Sequence, residues 1–555
     1  MGQRHFIFAI LLAMCAAGGS TASAQSQPAV QDSVTHGRVS TADHTKFEIL
    51  KRNFASGPEV TAACLSCHTN AADQVMHSIH WKWEKIQPSS GQTLGKRHVV
   101  NSFCGNVISN EVRCTSCHAG YGWDDTRNDP PSDPTRVDCL ACHDRSGQYT
   151  KLDNAAGHPL LEPMEKRTTI TGAKAKPVDL VKAAQSVGMP TRQNCGSCHF
   201  YGGGGDNVKH GDLSSALFTP SRDVDVHMSP EGQNFTCEAC HVSLNHVFAG
   251  SRFNATARDT KGTGLPGERR HAATCESCHS PRPHRATLIG MKLNNHAERV
   301  ACQTCHIPAF ARGGVATKTV WDWSAAGKLK DGKPFSEEGF TQSDGRKLNT
   351  YLSTKGHFEW GENVVPHYAW FDGNVEYTLA DQTIDPSKVV EINRLGGSGL
   401  DPNARIWPFK RMEGRQAYDQ ELNRLLLSHV YGPETKTAFW TNFKWDAAIG
   451  AAMKQAGLPF SGKFGFVDTH MYWPITHMVA PANQALRCNS CHSQDGRLAG
   501  IENVYMPGTG LPLGGQIGIA LLAMAMAGVA GHGGLRIFRN AWQDNAWQDK
   551  GPRHG

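Results

Sequence analysis

The stretch that decides the fold reads NSFCGNVISNEVRCTSCH and occupies residues 101–118. It ends in a CxxCH motif, Cys114-Thr-Ser-Cys117-His118. In such a motif two thiols form thioethers with a haem and the histidine binds its iron. Cys104 lies just upstream and is the one cysteine of the predicted mature chain outside such a motif. A spare thiol close to a haem indicates a site of chemistry, to which the other haems supply electrons.

The cysteine count sets the class of protein. Of the 18 cysteines, 16 fall into eight CxxCH motifs, which we number in chain order. The predicted thioether positions are Cys64, Cys67, Cys114, Cys117, Cys139, Cys142, Cys195, Cys198, Cys237, Cys240, Cys275, Cys278, Cys302, Cys305, Cys488 and Cys491. The predicted proximal iron ligands are His68, His118, His143, His199, His241, His279, His306 and His492. Eight complete motifs predict eight covalently bound haem c groups and leave zinc sites or disulfides as poor alternatives.

Composition and charge agree with a haem-rich chain. The 57 glycines and 28 prolines among 555 residues suit loops that wrap around cofactors. The formal net charge is +6. This charge does not indicate nucleic-acid binding, because the two propionates of every haem add negative charge to the loaded protein.

The chain divides into segments by its motifs. Residues 1–24 are a predicted secretory signal peptide with an Ala22-Ser23-Ala24 cleavage site, and a lipoprotein site at Cys15 is the alternative. Residues 25–310 form the seven-haem region with the active-site haem. Residues 311–510 form a haem-free segment that folds back and carries the eighth motif. Haem is attached to CxxCH motifs outside the cytoplasmic membrane, so the haem-bearing part is expected in the periplasm.

The C-terminal segment is apolar for a length that spans a bilayer. Residues 513–535 read LGGQIGIALLAMAMAGVAGHGGL, and Arg536 and Arg539 follow. We predict a transmembrane helix over 511–538 and a cytoplasmic tail over 539–555. A buried or peripheral hairpin is the alternative, because the glycines and His532 weaken the span. An anchor would hold the protein at the periplasmic face of the membrane, beside a quinol-oxidising or other cytochrome electron donor.

The periodicity of the chain predicts a mainly α fold. Residues 177–188 predict a short helix with Lys182 among apolar neighbours, and 416–430 and 445–456 predict two more helices. Residues 368–379 predict a hairpin that turns at Asp372-Gly373. The predicted class is a multihaem cytochrome c fold with little regular structure around the seven N-terminal haems, a helical haem-free segment and a C-terminal transmembrane helix.

A low-spin haem needs a second axial ligand, which is usually another histidine. The best distal candidates are His44, His80, His227, His246, His284, His296 and His477. Those held in reserve are His158, His210, His271 and His470. The alternative for each is a hydrogen-bonded surface or core histidine, but the demand of eight irons favours ligands. The sequence does not indicate which histidine serves which haem.

Five runs extend well beyond the CxxCH motifs. They are SGPEVTAACLSCH (56–68), NSFCGNVISNEVRCTSCHAGYGW (101–123), VDCLACHD (137–144), QNCGSCHFYGGGGDNVKHGDL (193–213) and ACQTCHIPAFARGG (301–314). Together they resemble the octahaem tetrathionate reductase family of periplasmic cytochromes c, over roughly residues 40–505. The resemblance implies a mainly helical, haem-packed fold related to hydroxylamine oxidoreductase and pentahaem nitrite reductase.

The resemblance also implies the site residues. In that family seven haems have two histidine ligands, whereas the second haem has a distal lysine and a cysteine beside it. The cysteine corresponds to Cys104, and Asn101 is a plausible companion in the pocket. Lys182 is the first choice for the lysine and Lys209 the second, with an exposed lysine as the alternative for each. The family's activities are reduction of tetrathionate, nitrite and hydroxylamine.

The residue types themselves fit such chemistry. A lysine binds iron only as the free amine, so burial has to lower its pKa. A thiolate attacks sulfur–sulfur bonds. We therefore expect a reductase that takes an inorganic anion or nitrogen oxide, with tetrathionate as the first candidate. The alternatives are an electron conduit with eight saturated haems, oxidation of hydroxylamine or thiosulfate in the reverse direction, and an inert buried thiol at Cys104.

Overall fold

The structure is a computed structural model that describes residues 42–259, 273–432, 435–504 and 513–548, and the side chains up to residue 542. The predicted signal peptide, Cys15, the reserve ligand His271 and residues 549–555 lie outside the described residues.

The haem-bearing part consists of short helices joined by turns. A CxxCH motif fits one helical turn, because residues three and four apart share a helix face. The α-helices here are Gly57–Leu65 (α1), Ala71–Met76 (α2), Ile79–Lys82 (α3), Glu111–Cys114 (α4), Cys139–His143 (α5), Leu180–Gln185 (α6), Arg192–His199 (α7), Glu276–His279 (α8), Leu288–His296 (α9) and Cys302–His306 (α10). The 3-10 helices are His44–Lys46, Glu48–Leu50, Thr115–Cys117, Pro134–Arg136, Ser215–Leu217 and Cys237–Ala239.

Side-chain caps set where these helices begin. The Ser56 hydroxyl accepts a hydrogen bond from the Glu59 amide at the start of α1. Thr191 and Asn194 form a reciprocal capping box at the start of α7, which carries the fourth motif. Such caps satisfy the backbone N–H groups of the first turn, which have no partner within the helix.

A large sheet fills the interval without haem motifs. The strands are Lys85–Ile86 (β1), Thr93–Leu94 (β2), Ser243–Leu244 (β3), Val247–Phe248 (β4), Thr317–Asp322 (β5), Ser336–Thr341 (β6), Lys347–Leu352 (β7), Gly356–Gly361 (β8), His367–Phe371 (β9), Val375–Tyr377 (β10), Val390–Glu391 (β11), Asn393–Leu395 (β12), Arg405–Asp419 (β13), Arg424–Leu425 (β14) and Phe464–Pro474 (β15). Nine of them form one sheet in the order β11-β15-β13-β5-β8-β7-β6, with β9 and β14 also paired to β13. The remaining helices are the 3-10 segments Trp323–Ala325 and Ala482–Gln484, and Phe439–Asn442 (α11), Trp445–Ala456 (α12), Cys488–Cys491 (α13) and Leu513–Gln548 (α14).

Strand β13 is the central element of this sheet. It pairs antiparallel with β15 from Phe409↔Pro474 to Asp419↔Phe464, and parallel with β5 around Glu413↔Val320. Trp321, Phe358, Phe409 and Trp473 are nearly or fully buried and belong to the largest apolar cluster of the described residues. Aromatic and β-branched side chains of this kind pack well on a pleated surface, so the sheet forms the main core.

The expectation of a helical haem-free segment is therefore wrong. Helix makes up 28% and strand 19% of the chain, so the fold is mixed rather than mainly α. The predicted helix over 416–430 is wrong: this stretch ends β13, turns, forms β14 and continues extended. Its apolar run Leu425–Leu427 is buried on all sides, and periodicity cannot tell a buried strand from a buried helix. The predicted helix at 445–456 is present as α12.

The predicted hairpin over 368–379 is also wrong. Strands β9 and β10 lie on either side of the expected turn, and Gly373 has a φ of +100°. However, β9 pairs with β13 and β10 with β12. The turn packs closely against the segment around Ala255. A Cβ on Gly373 would lie 2.0 Å from the Ala255 carbonyl oxygen, so only glycine fits here.

Buried hydrogen bonds attach the stretch 101–118 to the sheet region. The Asn110 amide donates to the Ser428 carbonyl at 2.9 Å and accepts from the backbone N–H groups of Val430 and Tyr431. The Gln416 amide of β13 donates to the Asn101 carbonyl at 2.8 Å. The sheet therefore fixes the position of the loop that carries Cys104.

Helix α14 is exposed and apolar over Leu513–Trp542, which is 30 residues long. None of its most apolar window is buried in the protein. By length and composition this helix could cross a membrane, and it continues past the predicted end at residue 538 to Gln548.

Candidate active site

Seven of the CxxCH histidines face a second histidine ring. The centroid distances are 6.4 Å for His68–His44, 6.3 Å for His143–His246, 6.1 Å for His199–His80, 6.1 Å for His241–His477, 5.9 Å for His279–His227, 6.4 Å for His306–His284 and 6.1 Å for His492–His296. The second rings are the seven distal candidates chosen from the sequence. The structure thus brings each candidate opposite one particular motif.

These distances fit two imidazoles on one haem iron. A metal–imidazole nitrogen bond of about 2 Å and about 1 Å from that nitrogen to the ring centre, on both sides, place the centroids about 6 Å apart. Hydrogen bonds also orient six of these fourteen rings, in which Nδ1 is bonded and Nε2 remains available to the metal. The Nδ1 partners are Gly188 O for His143, Ala249 O for His241, Gln74 Oε1 for His246, Asn294 Oδ1 for His284, Lys292 O for His296 and Asp212 Oδ2 for His477. The donor set therefore fits haem.

The described reserve histidines have other neighbours. His158 stacks on Tyr121 at 5.2 Å, and His210 contacts Trp473 at 5.1 Å. His470 lies on β15 beside Tyr472. None of these three rings faces a CxxCH histidine within the described residues.

Cysteines of different motifs lie against one another. Direct thiol interactions join Cys64 to Cys139, Cys117 to Cys198, Cys195 to Cys237, and Cys275 to Cys302. Cys142 and Cys195, Cys240 and Cys278, and Cys305 and Cys491 are within electrostatic reach of each other. The first, third, fourth, fifth, sixth, seventh and eighth attachment sites therefore form a continuous series, and the second branches from the fourth.

The second motif has different surroundings from the other seven. The His118 ring is 1% exposed and packs on three indoles, those of Trp81, Trp83 and Trp123, at 4.7–5.4 Å. No second histidine faces it within the described residues. Its Nε2 is 2.7 Å from the Trp81 carbonyl oxygen and its buried Nδ1 has no partner within the described residues, so here the nitrogen that the other hydrogen-bonded rings leave free is the bonded one. Burial lowers the pKa of His118 to about 3, so the imidazole is neutral, as a metal ligand must be.

Lys182 does not lie at this site. The structure places it exposed on the surface of α6, while its neighbours Ala183 and Ala184 are buried. The expectation of a buried Lys182 is wrong. In so short an amphipathic helix, the apolar neighbours face the core and the lysine faces solvent.

Lys209 is half-buried beside the second motif. Burial lowers the pKa of its ammonium group well below the usual value, Arg252 and Lys96 lower it further, and Cys117 acts in the opposite direction. Its Nζ lies 5.0 Å from the Trp473 ring centre. Gly202 makes room for this side chain, because a Cβ there would lie 3.2 Å from the Lys209 Cδ. Burial therefore shifts Lys209 toward the free amine.

Cys104 lies in a tight loop whose shape depends on Asn101. The Asn101 side-chain oxygen accepts hydrogen bonds from the backbone N–H groups of Phe103 and Cys104. The Asn101 backbone N–H donates to the Gly105 carbonyl. The thiol is half-buried and close enough to Cys114 to affect the pKa of that thiol. Asn101 therefore positions Cys104, with its side-chain oxygen used inside the loop.

Several basic residues near this site were not identified from the sequence. Lys96 donates to the Cys114 carbonyl at 3.1 Å. Arg252 lies 4.4 Å from the Trp473 ring centre, and burial lowers its pKa. Lys318 and Lys355 lie close enough to Cys104 for its charge to act on them. These residues come from separate segments without a shared motif, so only the tertiary structure brings them together.

Two family models match parts of the chain. One, described as bacterial cytochrome c, matches residues 318–495. The other, described as cytochrome c554 and c-prime, matches residues 48–144. An uncharacterised relative from Archaeoglobus fulgidus is 23% identical in an alignment of 258 residues, and the match covers 40% of this chain and 84% of the relative.

A solved structure is similar over most of the chain. It is the octaheme cytochrome c from Shewanella oneidensis, which is 39% identical, with 83% of this chain and 97% of that chain covered and a TM-score of 0.69. These similarities define a multihaem c-type cytochrome with covalently bound haem. The chain belongs to the octahaem cytochromes c, which confirms the resemblance seen in its sequence.

His477 offers a test of the imidazole pairs. Replacing it with methionine should raise the midpoint potential of one haem by on the order of 0.1 V, because a thioether ligand favours ferrous iron. Spectropotentiometric titration measures this shift. His158→Met is the control and should leave every midpoint in place. Unchanged midpoints in His477→Met would exclude His477 as an axial ligand.

Proposed function

We propose that this octahaem cytochrome is a reductase whose substrate reacts beside the haem of the second motif, between Lys209 and Cys104. The observation that carries the proposal is the arrangement around that motif. His118 faces no second histidine in the described residues, whereas Lys209 lies close to Cys117 and Cys104 lies close to Cys114. Tetrathionate is the preferred substrate in this proposal.

The haems, when bound, supply electrons and one exchangeable coordination position. The order of the attachment sites supports electron delivery along the series and through the fourth motif to the second. A conduit without substrate needs two firm ligands at every iron. The unmatched His118 and the nearby thiol argue against that alternative.

Lys209 has two roles in this proposal. As a free amine it is a ligand that substrate displaces more readily than an imidazole. Once displaced, it accepts a proton and adds positive charge next to an anionic substrate. The lowered pKa of its ammonium group, which burial and the neighbouring Arg252 produce, supports the first role.

Cys104 acts as the nucleophile toward tetrathionate. Its thiolate attacks one central sulfur, the central sulfur–sulfur bond breaks, and one thiosulfate leaves with the bonding electron pair. The second thiosulfate remains bound to Cys104 through a sulfur–sulfur bond. Two electrons from the haem series then reduce that bond, which releases the second thiosulfate and restores the thiolate.

Nitrite and hydroxylamine are the second class of candidate substrates. They are small enough to bind at the exchangeable coordination position, and their reduction does not need a sulfur nucleophile. The same residues catalyse the reverse oxidations where the potentials of donor and acceptor favour them. The observation that favours tetrathionate over these substrates is the thiol of Cys104 at the second motif.

We also propose that α14 anchors the protein to the membrane, with the haem-bearing part in the periplasm. Its 30-residue apolar stretch exceeds the roughly 20 residues that a bilayer requires. Arg536 and Arg539 would lie toward the cytoplasm. Anchoring would bring the protein to an electron donor in the same membrane, such as a quinol-oxidising cytochrome.

Replacing Cys104 tests the sulfur chemistry. Cys104→Ala should lower kcat/KM for tetrathionate by at least about 100-fold, because the nucleophile is lost. Hydroxylamine reduction should change by less than about threefold, because it needs no thiol. Steady-state oxidation of a reduced dye measures both. Ser102→Ala, in the same loop, is the matched control, and full tetrathionate turnover in Cys104→Ala would refute the mechanism.

Replacing Lys209 tests the distal ligand. Lys209→Leu should convert one ferric haem per chain from low spin to high spin, because leucine cannot bind iron. Electron paramagnetic resonance detects this conversion. Lys182→Leu is the control, and its spectrum should match the unmodified protein. An all-low-spin spectrum in Lys209→Leu would mean that another group binds this iron.

Truncation tests the anchor. Protein that ends after Pro507 should appear in the soluble periplasmic fraction, because it lacks the apolar helix. Deletion of residues 543–555 is the control and should leave the protein in the membrane fraction. Fractionation followed by haem staining measures both. Unmodified protein that is soluble without detergent would contradict the anchor.

A further inference from the structure

Two lysines of the sheet region lie near Cys104. Lys318 is on β5 and is 5% exposed, and Lys355, which is half-buried, follows in the turn between β7 and β8. Cys104 acts electrostatically on both. Neither belongs to the group around Lys209 that faces the second motif.

Aromatic rings surround the two ammonium groups. The Lys318 Nζ lies 3.1 Å from the Phe358 ring centre and 3.8 Å from that of Trp321. The Lys355 Nζ lies 4.9 Å from the Trp440 ring centre, and the Trp321 indole donates to the Lys355 carbonyl at 2.7 Å. The faces of aromatic rings attract cations, but they supply no counter-charge.

Two other lysines, Lys151 and Lys410, are buried and have oxygen partners. Lys151 is 3.0 Å from Asp138, and the Lys410 Nζ donates to the Val208 and Lys209 carbonyls and to the Thr317 hydroxyl. By contrast, Lys318 and Lys355 form no ion pair within the described residues.

The basic side chains near Lys318 and Lys355 are positively charged, so they disfavour the ammonium forms of this pair. The positive charges of Lys355 and Lys410 lower the pKa of Lys318, and that of Arg113 lowers the pKa of Lys355. Cys104 acts in the opposite direction and favours their charged forms. Burial lowers the pKa of both ammonium groups, and the positive neighbours add to this effect. An anion bound between them would supply the missing charge.

The glycine-rich loop at 202–205 connects this pair to Lys209. A Cβ on Gly203 would lie 3.2 Å from the Phe103 ring, and one on Gly204 would lie 3.5 Å from the Lys355 Nζ. Both residues have positive φ, which favours glycine. The loop therefore passes close to the Cys104 loop and to Lys355 before it reaches Lys209.

We propose that Lys318 and Lys355 form an anion subsite that binds the terminal sulfonate of the substrate while Cys104 reacts with a neighbouring sulfur. The inference rests on the proposed reduction of a sulfur–sulfur bond at this site. It identifies the substrate class as sulfur oxyanions in which a sulfonate is joined to a sulfur–sulfur bond. Hydroxylamine carries no such group and makes no use of the subsite.

Dithionate is a direct probe of this subsite. It consists of two joined sulfonates and lacks the central sulfur atoms that a thiolate attacks. Calorimetric titration of the oxidised, fully haem-loaded protein should give a dissociation constant that rises at least about tenfold in Lys318→Met and in Lys355→Met. Lys328→Met, an exposed lysine next to the same sheet, is the matched control and should stay within about twofold. Unchanged binding in both variants, or no binding to the unmodified protein, would overturn the subsite.

Kinetics provide an independent measurement. The ratio of kcat/KM for tetrathionate to that for hydroxylamine should fall at least about tenfold in each variant, mainly through KM for tetrathionate. An equal loss for both substrates would overturn the subsite, because it indicates a general structural defect. Haem content and Tm identify a variant that has not folded. The result for the other lysine variant then decides whether the subsite exists. If the unmodified protein does not reduce tetrathionate, the proposed function fails, but dithionate binding still tests the lysine pair.

Discussion

Seven pairs of imidazole rings connect distant parts of this chain, and most of the haem-bearing structure depends on them. The pair His241–His477 joins the fifth motif to the segment that follows the sheet, and Asp212 holds His477 through both its ring and its backbone N–H. Helices of four to nine residues are not stable alone in water. Their positions are set by contacts between motifs and by the cofactors that the motifs bind, which explains why so little regular structure suffices there.

The sheet has a different role, because it holds the loop that carries Cys104 in place. Strand β13 contributes Gln416, which bonds to Asn101, and Lys410, which holds the Lys209 backbone. Strand β5 contributes Lys318. Catalytic side chains are positioned more accurately by strands and their hydrogen bonds than by loops alone. The interval without haem motifs therefore shapes the proposed active site, although the sequence of that interval contains no motif that indicates this role.

Lys182 and Lys209 illustrate where sequence reasoning fails. Both lysines lie near apolar residues in the sequence, but Lys182 is on the outer face of a short helix and Lys209 is enclosed by Trp473, Arg252 and the glycine-rich loop. The helix predicted over 416–430 failed for a related reason. Local apolar patterns indicate that a segment is buried, but they do not show which neighbours bury it or whether it is strand or helix.

The sequence by itself determined the eight haem attachment sites, their proximal histidines and the separate cysteine at position 104, because covalent attachment needs only residues that are adjacent in the chain. It also identified the family and the seven candidate histidines. Only the tertiary structure decided which histidine faces which motif, which lysine lies at the second motif, and that the sheet region brings Lys318 and Lys355 near Cys104. These features depend on contacts between segments hundreds of residues apart, and burial and pKa follow from such contacts rather than from local sequence.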